Sequence, residues 1–197
     1  MSGTDSGFIT IVSGLPRSGT SMMMKMLESG GIPPVTDDFR KADDDNPNGY
    51  FEYEPVKRLR QESSWVETAC NKALKVIYVF LYDLPPGQRY KVIFMRRNLE
   101  DVVASQKAML RHRQEADRMT DDQLMTTFAG QLARLDDWIR RQPDFTIRYV
   151  DYDDVVADPY RASAEVAAFL DTTLDVPAMA RSVHPELHRN RSAAGTA

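Results

Sequence analysis

The residues of this chain best placed to do chemistry lie in the run Gly14-Leu15-Pro16-Arg17-Ser18-Gly19-Thr20-Ser21. An apolar, β-branched segment from Phe8 to Ser13 leads into it, and a helical stretch beginning at Thr20 leads away. A glycine-punctuated turn from strand to helix gathers backbone N–H groups at the positive end of a helix dipole. That arrangement is a cradle for phosphate or sulfate. The spacing follows the phosphate-loop pattern G-x-x-x-x-G-K-[ST], except that Thr20 stands in the lysine position. In nucleotide triphosphatases that lysine neutralises the β- and γ-phosphates. A donor without a γ-phosphate needs it less. The fixed cation of this loop is Arg17, while Thr20 and Ser21 offer hydroxyls and N–H groups to one terminal anion.

A second group lies in Tyr90-Lys-Val-Ile-Phe-Met-Arg-Arg97-Asn-Leu-Glu-Asp101-Val-Val-Ala-Ser105. Arg97 leaves the end of a strand, and Ser105 follows about two turns into the next helix. The two can converge on a second anion, apart from the one held by the loop. The plainer alternative is that Arg96 and Arg97 pair with Glu100 or Asp101 on the surface. The three histidines, His112, His184 and His188, read as surface residues, and the single cysteine, Cys70, as structural or neutral.

These residues need elements to hold them. Phe8 to Ser13 and Tyr90 to Met95 read as buried strands, Ala73 to Leu81 as another, and Phe145 to Val150 as a fourth. Helices are expected over Thr20–Ser29, from Glu54 to about Ala69, from Leu99 to about Arg113, over Asp121–Ile139, and from Pro159 to about Leu170. In Asp121–Ile139 the apolar residues Leu124, Phe128, Leu132, Leu135 and Ile139 recur at steps of three or four. Strands alternating with helices imply an α/β fold: a central parallel sheet of the P-loop type, flanked by helices on both faces. In such sheets ligands bind at the carboxyl ends of the strands, where the loop sits. A chain of 197 residues, 42% hydrophobic, suits a single domain over 1–197, with a core of about 8–171 and a tail of 172–197 without strong period. Residues 35–53 form a long polar loop of the kind that is often functional.

The net charge of −4 argues against a nucleic-acid binder. No apolar run approaches the ~20 residues of a membrane span, and the polar N-terminus has no signal-peptide pattern. With one cysteine, a cytoplasmic location is the expectation.

Together the two blocks resemble the sulfotransferase family that uses 3′-phosphoadenosine 5′-phosphosulfate (PAPS). Pro16-Arg-Ser-Gly-Thr-Ser21 is similar to the family's 5′-phosphosulfate loop, P-[KR]-S-G-T-[ST]. Arg97-Asn-Leu-Glu-Asp-Val-Val-Ala-Ser105 is similar to its 3′-phosphate block, R-[ND]-P-x-D-x-x-x-S, with Leu99 in place of proline. Tyr149-Val-Asp-Tyr152-Asp-Asp-Val-Val-Ala-Asp-Pro159 resembles the segment Y-E-D-[LM]-x-x-[DN]-P that precedes a helix. The resemblance runs in order from about residue 8 to about residue 170.

The resemblance implies that Arg17, Ser18, Gly19, Thr20 and Ser21 hold the 5′-phosphosulfate. It implies that Arg97 and Ser105 hold the 3′-phosphate and that Tyr152 sits near the adenosine. Met22 stands where many members stack an aromatic on the adenine. The reaction implied is in-line sulfuryl transfer from PAPS to an acceptor hydroxyl or amine, with Arg17 stabilising charge on the leaving oxygen and no metal required. The acceptor would be a small molecule, a peptide or a carbohydrate. The histidine that cytosolic members carry before the Arg-bearing strand is missing from Leu74–Val79. Other branches use a glutamate after the loop, and Glu52, between Phe51 and Tyr53, fills that place here; Glu54 opens a helix instead. Lys75 is a possible second cation beside the leaving group, and Arg189 and Arg191 could form a basic lid. Two other readings remain open: a P-loop kinase or NTPase, opposed by Thr20, and a non-catalytic protein that binds PAPS or its product but lacks a base.

Overall fold

The computed structural model describes residues 7–37, 49–112, 114 and 119–184. One five-stranded, all-parallel sheet organises them: β1 (Ile9–Gly14), β2 (Pro34–Val35), β3 (Ala73–Lys75), β4 (Tyr90–Arg96) and β5 (Phe145–Asp151), in the order β2-β3-β1-β4-β5. The first strand is central. β1 pairs with β3 from Thr10↔Ala73 to Val12↔Lys75 and with β4 from Ile9↔Tyr90 to Gly14↔Met95. The β4–β5 ladder runs from Tyr90↔Phe145 to Arg96↔Asp151.

The strands read as apolar runs because both faces of the sheet are covered, as parallel sheets require. Alternate residues feed two cores. Ile9, Ile11, Leu74, Tyr90, Val92 and Phe94 face one core, which takes Val102 and Val103 from α2 (Leu99–His112) and Phe128 and Leu135 from α3 (Asp121–Ile139). Val12, Ile93 and Met95 face the other. It takes Met23, Met24, Met26 and Leu27 from α1 (Thr20–Ser29), Tyr152 and Val155 from α4 (Tyr152–Ala157), Val166 and Leu170 from α5 (Pro159–Leu170), and Met179 from α6 (Val176–Arg181). Each of these side chains, when fully buried, contributes about 1.5–3 kcal/mol. Lys91 of β4 fastens the second layer by donating to the carbonyls of Phe169 (3.3 Å) and Leu170 (2.6 Å), at the negative end of α5.

The start signals are local. Thr120 caps α3 in a full capping box with Gln123, and Asp158 and Asp175 cap α5 and α6, each ahead of a proline in the first turn.

The structure corrects several expectations. The apolar run Ala73 to Leu81 is a strand only as far as Lys75; Tyr78–Asp83 winds into a 3-10 turn that buries Tyr78 and Leu81, three residues apart. Glu54 to Ala69 is not one helix but two 3-10 segments, Glu54–Arg58 and Ser64–Ala69. The short strand β2 and helix α4 went unforeseen. So did α6, which lies in the segment expected as a tail and packs Met179 against Gly30 at the end of α1.

Candidate active site

The carboxyl end of β1 passes directly into the loop. Gly14, at φ 149°, lies so near β4 that a Cβ would come within 2.7 Å of the Met95 carbonyl oxygen. Arg17 and Gly19 both take positive φ, 71° and 98°. This left-handed backbone turns the chain back over the strand end. Ser18 braces the turn from inside: it is buried, and its N–H and hydroxyl both donate to the Leu15 carbonyl, at 3.2 and 2.8 Å. Gly19 is the N-cap of α1 and brings no side chain to cap it. Under that condition first-turn N–H groups serve an anion.

The second block closes on the loop. Arg97 Nη1 donates to the Arg17 carbonyl at 3.2 Å, and Arg17 Nε donates to Ser105 Oγ at 3.0 Å. Ser105 is buried on α2. Arg97 Nε lies 4.0 Å from the carboxylate of Asp101, one helical turn further on, and the two side chains are only 7% and 8% exposed. The Arg97 guanidinium also stands 4.6 Å from the centre of the Tyr152 ring. Arg97, paired closely with Asp101 as the plainer reading required, is thus enclosed within the site and not on the surface. Its neighbour Arg96 turns to the opposite face. Its guanidinium sits 3.6 Å over the Tyr149 ring and 3.6 Å from Asp136, which accepts the Tyr149 hydroxyl proton.

A third contribution comes from β3. Lys75 Nζ donates to Ser21 Oγ at 3.0 Å and to the Tyr50 carbonyl at 2.8 Å. An ammonium therefore reaches the start of α1, where the lysine of the usual pattern would stand, from a neighbouring strand. The same lysine anchors the segment carrying Glu52. That segment is also tied to β2's extension: the Glu52 carbonyl accepts from Thr36 Oγ1 (3.1 Å), and the Glu54 N–H donates to Asp37 Oδ2 (2.7 Å). Glu54 itself pairs with Lys57 in the 3-10 turn that it begins.

Of the residues singled out in the sequence, Arg17, Ser18, Gly19, Thr20, Ser21, Arg97, Ser105 and Tyr152 are gathered at one end of the sheet. Glu52 lies two residues along the chain from Tyr50, whose carbonyl accepts from Lys75. Its half-buried side chain is flanked by Phe51, which packs on the α1 core, and Tyr53, which meets Trp65 edge-on at 4.9 Å. His112 and His184 are exposed, while His188, Arg189 and Arg191 lie outside the described residues, as do residues 38–48 of the polar loop. Asp101 was missed as a site residue. Its signal was the i, i+4 spacing from Arg97. The anchoring of Lys75 has no sequence signal, because one of its partners is a backbone carbonyl.

The sequence matches the sulfotransferase domain family over residues 9–190. No curated protein matches the sequence. Among solved structures, the sulfotransferase domain from the curacin biosynthetic pathway superposes with a TM-score of 0.52 at 11% identity, over 90% of this chain and 78% of that one. Mouse sulfotransferase SULT7A1, complexed with PAP, gives a TM-score of 0.52 at 16% identity, over 94% and 64%. Sulfotransferase STF1 from Mycobacterium tuberculosis gives 0.51 at 14%, over 93% and 75%. At these identities the structural likeness establishes the fold, and the family match supplies the rest. The loop, the Arg97–Ser105 block and the match across residues 9–190 together show that the chain belongs to the sulfotransferase domain family, the PAPS-dependent transferases of sulfuryl groups.

Proposed function

We propose that the two interlocked blocks form a PAPS site in which each block holds one anion. The observation that carries this reading is the double contact between them: Arg17 to Ser105 at 3.0 Å, and Arg97 to the Arg17 carbonyl at 3.2 Å. Arg17, Ser18, Gly19, Thr20 and Ser21 take the 5′-phosphosulfate, with Ser18 shaping the loop through Leu15. Arg97 and Ser105 take the 3′-phosphate. The residues fit the donor: positive-φ backbone at Arg17 and Gly19 and an uncapped helix start suit a tetrahedral anion. The mouse enzyme of this fold was solved with PAP, the product that such a site releases.

Glu52 is the proposed base. It takes the proton of the acceptor hydroxyl or amine as the acceptor atom attacks sulfur and the bond from sulfur to the bridging oxygen breaks. Arg17 and Lys75 then face the charge that develops on that oxygen, in a setting already ordered before reaction. The acceptor is a small molecule, or a hydroxyl or amine of a peptide or carbohydrate, and enters by the Phe51–Tyr53 segment. The net charge of −4 and the single cysteine favour a non-nucleic acceptor and a cytoplasmic setting. Among the described residues no helix is long and apolar enough to cross a membrane.

The test is thermal-shift titration with adenosine 3′,5′-bisphosphate on the parent, Arg17→Ala and Arg97→Ala proteins. At a ligand concentration of ~100 Kd the parent should gain about 2.7 kcal/mol. No shift in the parent, or a shift that requires ATP with magnesium, would end this reading.

A further inference from the structure

Tyr152 is the first residue after the β4–β5 ladder ends. The last pair of that ladder is Arg96↔Asp151, so Arg97 and Tyr152 leave the sheet side by side. The ring that results has two neighbours from different parts of the site. On one side the Arg97 guanidinium lies 4.6 Å from the ring centre. On another the ring closes against Gly19, where an added Cβ would meet Tyr152 Cδ2 at 2.5 Å and Cε2 at 3.1 Å. The ring is only 8% exposed. Tyr152 therefore touches both the loop of the first proposed anion site and the arginine of the second.

We infer that Tyr152 is a positioning residue that couples the two anion sites, fixing the Arg97 guanidinium relative to Gly19. This inference rests on the PAPS-site reading above. The physical basis is twofold. A guanidinium over an aromatic face is attracted by the ring quadrupole, the more so when desolvated. The same ring fills the space beside Gly19 that any other residue would need, so the loop and Arg97 share one rigid support. Asp101, whose carboxylate lies 4.0 Å from Arg97 Nε, is the acidic group beside the guanidinium. Selectivity for a donor that carries a 3′-phosphate then depends on the ring, even though the ring touches neither anion.

The experiment compares the affinity for adenosine 3′,5′-bisphosphate with that for adenosine 5′-monophosphate, which lacks the 3′-phosphate. It uses the full chain with Tyr152→Phe, Tyr152→Leu and Arg97→Ala singly, and with Arg97→Ala and Tyr152→Leu combined. Tyr152→Phe should keep the parent's preference for the bisphosphate. Tyr152→Leu should cut that preference about tenfold, the effect of a desolvated cation–π contact, the bisphosphate being weakened more than the monophosphate. In the Arg97→Ala background Tyr152→Leu should change the preference no further. Equal weakening of both ligands by Tyr152→Leu would mean an adenosine contact or general support, and would overturn the coupling. So would a full effect in the absence of Arg97. If Tyr152→Leu does not fold, phenylalanine bearing three ring fluorines at this position keeps the shape while draining the π face. It should lower the preference, and an unchanged preference would overturn the inference. A parent without preference for the bisphosphate would instead sink the PAPS-site reading itself.

Discussion

Arg96 and Arg97 are consecutive residues where β4 ends, and each lies against a tyrosine, Tyr149 of β5 or Tyr152 just after it, yet they serve opposite faces of the sheet. Arg96 joins Tyr149 and Asp136 on the α3 side, and its side chain is 46% exposed. Arg97 meets Tyr152, Asp101 and the Arg17 carbonyl on the α1 side, with its side chain 7% exposed. The period-two alternation of a strand makes the division. The same cation beside the same kind of ring is a solvent-screened staple in one place and part of the enclosed, proposed anion site in the other. Residue type and local motif do not distinguish the two; the elements that close over each arginine do.

The sharpest test of this division lies on the site side. Glu52→Gln should lower kcat by about 10²–10⁴ while leaving bisphosphate affinity and thermal stability near parent values, as expected for loss of a general base. Steady-state kinetics alongside ligand titration would read this, and a fully active variant would remove Glu52 from the chemistry. Next in size, Arg97→Ala should weaken adenosine 3′,5′-bisphosphate by about 1.5–3 kcal/mol, ten- to a hundredfold, as measured by calorimetry. Arg96→Ala should leave that affinity alone and cost about 0.5–1 kcal/mol of stability, seen as a fall in Tm of about 1–4 °C. Equal loss of ligand affinity in the two variants would break the comparison.

The smallest effect concerns pH. Burial, then the hydrogen bond and charge of Asp136, push the Tyr149 hydroxyl from its usual value near 10 up to about 12, with Arg96 opposing. Below pH 10 the proton is held in both the folded and unfolded chain, and this contribution to stability is complete. Between about 10 and 12 only the unfolded chain releases it, so stability falls as pH rises through that window. Tyr149→Phe should flatten this alkaline limb in a denaturation series. Burial raises Tyr78 and Tyr90 in the same direction, so part of the slope should persist in the variant.

The elements with strong periodicity were legible in the sequence: β1, β4, β5, α1, α2, α3 and α5. So was the loop, because glycine spacing records backbone geometry directly. The run from Ala73 to Leu81 misled because a segment apolar but for Lys75 satisfies strand and helical periods alike. The structure resolves it by burying Tyr78 and Leu81 while Val79 and Tyr82 stay 40% exposed. β2, α4 and α6 are too short to carry a period, and each is fixed by what it packs on. Within the site, the loop and the Arg97–Ser105 block were legible as two motifs, but the reach of Arg17 across to Ser105 was not. Nor was the role of Lys75 in holding Tyr50, since a carbonyl accepts from any donor that tertiary structure delivers.

The central place of β1 has a consequence for the chain as it is made. Both neighbours of β1 follow it in sequence, and Arg17 must wait 88 residues for Ser105. At about 5–20 residues per second, synthesis separates these two side chains by roughly 4–18 s. Until β3 and β4 emerge within that interval, an apolar strand and its loop have no sheet to join. The first motif to leave the ribosome is thus completed only after β4 and the start of α2 have followed it.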